Sequence, residues 1–170
     1  MFPLSLGLCE LKGLGVTLAN SISGTTISKL TPSQFSAIGT AQINALSTAD
    51  VQSITTAQIA ALTTSQAVAL SATSISALSS TQIAALETSD FSVLTSTQFV
   101  AIKTNQIQAL TTAQIQALSA SQAVNIVVTQ AAALTTAQLV ALQTDDLASL
   151  SVTAVKGLTT AQVSNLTTDQ

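Results

Sequence analysis

Stepping by eight from Ile22 to Leu166 lands on Leu or Ile at all nineteen positions, with no insertion or deletion to break the register. Random composition would not hold such a spacing, so residues 22–170 read as one repeat array and residues 1–21 as a divergent N-terminal segment. A unit of eight residues cannot bury its own apolar side chains. Each must be held by its neighbours, and the fold must be the stacking of the array.

With the Leu/Ile position as the first of eight slots, the second is mostly Ser or Thr and the fifth mostly Gln, while the sixth is apolar and the eighth small, usually Ala. Ser or Thr followed three residues later by Gln is a capping box: the hydroxyl accepts from the N–H of the third helical residue, and the Gln side chain reaches back to the cap's own N–H. Thr31 with Gln34, Thr55 with Gln58, Thr111 with Gln114 and Thr135 with Gln138 are such pairs. Slots one and six fall just before the cap and at the fourth helical residue, where two apolar side chains form a hydrophobic staple. Pro32 checks the register, because a cap at Thr31 puts it at the first helical position, where proline is tolerated.

The pattern predicts an all-α repeat solenoid of short helical coils. A single continuous helix would rotate its apolar stripe by about 80° per octad and bury no face. A β-solenoid is the alternative, since Thr, Ile and Val favour strands, but the abundance of Ala, Leu and Gln and the capping boxes favour helix. Each coil holds about six helical residues, some 9 Å, far below the length at which an isolated helix persists in water. Slots one and six point inward, so Leu62, Leu78, Leu94, Leu110, Leu118 and Leu134 together with Ile59, Ile83, Ile107 and Ile115 are the expected core. No longer period overlies the octad, so the pattern does not set the number of coils per superhelical turn.

Three departures carry expectations of their own. Where slot six shrinks to Ala67 or Ala123, Val68 or Val124 follows, as if bulk moved by one position. Glu87, Lys103 and Gln143 replace the capping residue, and Thr88, Thr104 and Thr144 stand ready to cap one residue later. In "NIVVTQAAAL", Val127 and Val128 leave no Ser or Thr cap. These coils are expected to be softer or distorted.

Charged residues make up only 6% of the chain against roughly a quarter in ordinary domains, so Thr, Ser and Gln must form the solvent face. Four lysines and no arginine cannot line a phosphate-tracking groove, which argues against nucleic acid. With no His and one Cys, the usual triads, dyads and metal cages cannot be completed. No catalytic, cofactor-binding or metal residue is assigned, and the chain is expected not to be an enzyme. The scattered acids Asp50, Glu87, Asp90, Asp145 and Asp146 read as a solvated face, and the Gln column as capping alone. No apolar run approaches the roughly 20 residues that span a bilayer. The opening "MFPLSLGLCELKGLG" lacks the basic start of a secretion signal, and Cys9 reads as a small buried hydrophobe or free thiol.

Runs such as "LTTAQIQALSASQAV" and "ITTAQIAALTTSQAVAL" resemble the L-T-T-A-Q-[IV]-x-A octapeptide repeats of long bacterial proteins regarded as surface-exposed or adhesin-like. The resemblance covers nearly everything from Ile22 onward. It implies a structural protein of the cell surface or extracellular space: a stalk, a spacer or a self-assembling filament subunit. Low charge and an array ending on "LTTDQ" add the expectation of end-to-end self-association. Two alternatives stand beside it: ice binding through regular Thr pairs, such as Thr63 with Thr64, and a passive module of a larger adhesin.

Overall fold

The structure, a computed structural model, describes residues 27–170; the segment 1–21, with Cys9, and the start of the first octad at Ile22 lie outside the described residues. Among the described residues there are seventeen α-helices of four to six residues and no strands. In order they are α1 Pro32–Ser36, α2 Thr40–Asn44, α3 Thr48–Ser53, α4 Thr56–Ile59, α5 Thr64–Ala69, α6 Ala72–Ala77, α7 Ser80–Ala84, α8 Thr88–Ser92 and α9 Ser96–Val100. The second half runs α10 Thr104–Ala109, α11 Thr112–Gln116, α12 Ala120–Ala123, α13 Val128–Ala133, α14 Thr136–Ala141, α15 Thr144–Ser149, α16 Val152–Lys156 and α17 Thr160–Ser164. One helix per octad is the expected helical solenoid, and the β-solenoid alternative is set aside.

Corners such as those at Leu70, Leu78, Leu110, Leu134 and Leu142 are built from two extended residues. Leu110 leaves α10 at φ −58°, ψ 141°, and Thr111 enters α11 at φ −75°, ψ 155°. No described residue has a positive φ, so no corner requires glycine, and Gly39, at the corner before α2, is extended at φ −68°, ψ 150° like the Ser and Thr caps. The Leu110 N–H tightens the end of α10 by donating to the Ile107 carbonyl at 3.1 Å, a three-residue bond that stops the helix. Proline sits where its missing N–H is harmless, at the first position of α1.

The helices stack with a fixed offset. α7 packs on α10, α10 on α13 and α13 on α16, each pair three helices apart. Bonds between turns join residues 25, 27, 28 and 31 apart. A turn therefore holds about 28 residues, three and a half octads, and each helix sits over the gap between the helices three and four before it. This brickwork buries slots one and six, apart from Val155 and Val163, which are about half exposed, in a continuous core that includes every expected core residue, from Ile59 and Leu62 to Leu134. Phe91 and Phe99 meet edge to face within it, ring centroids 6.2 Å apart.

Three expectations are corrected. At Ala67 and Ala123 the bulk does not move inward: both alanines keep the buried slot, while Val68 and Val124 are 44% and 51% exposed. The backbone register, held by the stacking above and below, fixes which residue faces the core. Glu87, Lys103 and Gln143 remain the capping residues by backbone position, and helices α8, α10 and α15 start at Thr88, Thr104 and Thr144 without a shift. None of the three supplies a side-chain cap bond. Nor is the Val127 corner distorted, for its φ −85°, ψ 159° matches the Ser and Thr caps. Slots one and six, rather than the cap hydroxyl, set the register.

Candidate functional site

The groups that connect one turn to the next are the slot-five glutamines. Their first role is the expected one. Thr111 Oγ1 accepts from the Gln114 N–H at 3.1 Å while the Thr111 N–H donates to Gln114 Oε1 at 2.9 Å. Thr31 with Gln34, Thr55 with Gln58 and Thr135 with Gln138 close the same box. At Lys103, which has no hydroxyl, the backbone N–H still donates to Gln106 Oε1 at 2.7 Å.

The second role corrects the reading of the Gln column as capping alone. Capping occupies Oε1, and the Nε2 amide of the same side chain donates across to the turn before. Gln106 Nε2 reaches the carbonyls of Ile75 at 2.8 Å and Leu78 at 2.7 Å. Gln138 reaches Ile107 and Leu110 at 2.8 and 2.7 Å, and Gln58 reaches Ile27 and Leu30 at 2.6 and 2.7 Å. Gln114 repeats the pattern on Ile83 and Leu86. The acceptors are carbonyls at the C-terminal end of the helix four octads earlier, the groups a helix leaves without an internal partner. One amide thus satisfies the N-terminal donor of its own helix and the C-terminal acceptors of another. Gln106 and Gln122 are completely buried, so these bonds lie in a dry interior where an unmade bond is costly.

The ladder has gaps where slot five is not Gln. The Ser74 side chain bonds only within its octad, to Ser71 Oγ at 2.8 Å, and the Ser74 N–H donates to the same oxygen. Ala154 is buried and has no side-chain donor to offer. Asp50 keeps the box, its Oδ2 accepting from the Ser47 N–H at 3.1 Å and hydroxyl at 2.6 Å. Asp90 and Asp146 correct the reading of the acids as a solvated face, for they are 2% and 6% exposed. Slot five points between turns, whatever residue fills it. Asp90 Oδ2 is buried without a hydrogen-bond partner. Burial, and then the neighbouring Glu87, raise the Asp90 carboxyl above its ordinary range; burial and Asp145 do the same for Asp146.

A cavity bounded by Phe99, Ile107, Ile115, Leu118, Ile126, Gln130 and Leu134 measures about 10 Å³, near the minimum for one water. Outside, slots two to four stand exposed together, as at Thr63–Ser65 and Thr111–Ala113, so both members of each Thr pair face solvent. No described helix is long and apolar enough to cross a membrane. A family model described as the ALTTAQ repeat matches residues 27–64, 35–72, 83–120 and 139–170. No curated protein and no solved structure matches the chain.

Proposed function

From the premise that this chain belongs to the ALTTAQ repeat family, we propose that it is a non-enzymatic structural protein of the bacterial cell surface, a stiff stalk or spacer that also associates with itself. The observation that carries this reading is the glutamine ladder. Long-range bonds are spent on joining each turn to the next, and the interior is filled by core side chains. A rod built this way gains length in proportion to its octads while its cross-section stays constant. That suits a spacer, whose task is to hold two things apart at a set distance.

The half-octad stagger speaks against ice binding. It sets slot two of one turn near slot six of the next, so no continuous ladder of threonines runs up a face. Removing residues 54–109, seven octads or two whole turns, tests the spacer reading because it preserves both the octad and the stacking register. The rod should shorten by about 20 Å, at 9 to 10 Å per packed layer, in X-ray scattering, with unchanged helicity per residue. An unchanged maximum dimension, or protection from added protease on intact bacteria, would refute it.

A further inference from the structure

Because a turn holds about 28 residues, segments 65–72, 93–100, 121–128 and 149–156 lie one above another along the solenoid. This column collects the exposed valines. Val68, Val93, Val100, Val124, Val128 and Val152 all fall in it, with Val152 71% exposed. The local geometry supports the alignment. Val68 and Val93 line one open groove of about 400 Å³ with Thr64 and Ser65. α9 packs on α12 and α13 on α16, and a Cβ built on Gly157 would stand 2.6 Å from Val128 Cγ2. Of the other exposed valines, Val127 and Val155 also fall in it, while Val140 and Val163 lie elsewhere on the circumference. Charge avoids the same column. Lys156 is its one charged residue, while Lys29, Asp50, Glu87, Lys103 and Asp145 lie on other parts of the circumference.

We propose that this valine column is an interface through which two copies of the chain pair side by side. The proposal rests on the self-association in the reading above and names its face. A surface whose one charge is Lys156 gives little charge complementarity by which to select a different protein, whereas a second copy supplies the same apolar column, as a two-fold axis requires. The column spans four layers, about 30 Å, and its valines expose roughly 500 Å², most of the 800 Å² or so that each partner contributes to a stable interface. The Ser and Thr residues at its margins supply the remainder as a polar rim.

Sedimentation velocity over a range of concentrations, with circular dichroism on the same samples, tests this. The chain should pass from monomer to dimer, and V124E/V152E should weaken pairing roughly a hundredfold by setting like charges against each other while leaving helicity unchanged. V140E/Q108E adds the same charge away from the column and should pair as the parent does. Should V124E/V152E lose helicity, V124T/V152T, which removes apolar surface with little change of shape, gives the same reading. A parent chain that stays monomeric, column variants that pair normally, or a control equally impaired would each overturn the proposal. End-to-end assembly is read separately: it gives particles that lengthen with concentration and ignores V124E/V152E. Filaments without pairing would therefore refute the column alone, and dimers that never lengthen would refute the filament alone.

Discussion

Replacing Gln106 by Glu changes almost nothing in shape and removes one function. The Oε1 equivalent still accepts from the Lys103 N–H, but the group facing the Ile75 and Leu78 carbonyls, 2.8 and 2.7 Å away, becomes an oxygen with no hydrogen to give. Two bonds of about 1 kcal/mol each are lost, and an unpaired charge is placed at a site with no solvent exposure. The expected cost is about 3 to 5 kcal/mol at neutral pH, the range found when a buried charge loses its partner. Gln106→Leu, which loses the bonds but adds no charge, should cost less at neutral pH. Near pH 4 the order should reverse, because a protonated Glu regains one donor and Leu does not. Urea unfolding followed by circular dichroism at both pH values reads these differences. If Q106E is no worse than Q116E on the exposed slot seven, or shows no dependence on pH, the amide has no structural role between turns and the reasoning fails.

Other outcomes follow from the same geometry. Asp90→Gln should stabilise the chain by about 2 kcal/mol at pH 7, by restoring the box to Glu87 and donating to the carbonyls of Ile59 and Leu62. The gain should shrink in acid. Because burial raises the folded Asp90 pKa above its unfolded value of 3.8, the folded state holds the proton more tightly, and stability falls as pH rises from about the unfolded to the folded value, then levels off. Thermal melts of parent and D90Q across that window check the sign. Lys103→Thr should gain about 0.5 to 1 kcal/mol by adding the missing cap hydroxyl, read as a higher urea midpoint. Leu110→Asp should bury an unpaired carboxylate and melt the adjacent coils, whereas Gln116→Asp, on an exposed position, should change stability by less than about 0.5 kcal/mol. Equal effects would mean that the inward face is wrongly assigned.

The sequence showed what is local and hid what is not. Leu110 and Ile115 could be placed in the core because the staple and the capping box fit within one octad. The box at Thr111 and Gln114 was legible for the same reason. The inter-turn bond of Gln114 was not, because its acceptors at Ile83 and Leu86 lie 31 and 28 residues away and belong to the backbone, which leaves no residue-type signal. A hint was present in the insistence on Gln, since a box needs only an acceptor and Asp50 supplies one. The pitch was hidden because it comes from the corner dihedrals, such as those of Leu110 and Thr111, repeated once per octad. Val68 and Asp90 misled for one shared reason: the stack assigns inside and outside by slot, so an apolar residue at slot seven stays exposed and an acid at slot five is buried.

The central claim is that residues about 28 apart, and not 32 apart, are stacked neighbours. Ser80 and Asn105 touch across turns, with Ser80 Oγ accepting from Asn105 Nδ2 at 3.2 Å and donating to the Asn105 carbonyl at 3.1 Å. Thr112 occupies the same slot as Ser80 four octads later. With Cys9 replaced by Ser, the account predicts that S80C/N105C oxidises rapidly to an intramolecular disulfide while S80C/T112C does not. The opposite result, a bond in S80C/T112C and none in S80C/N105C, would mean four octads per turn and would contradict the glutamine ladder.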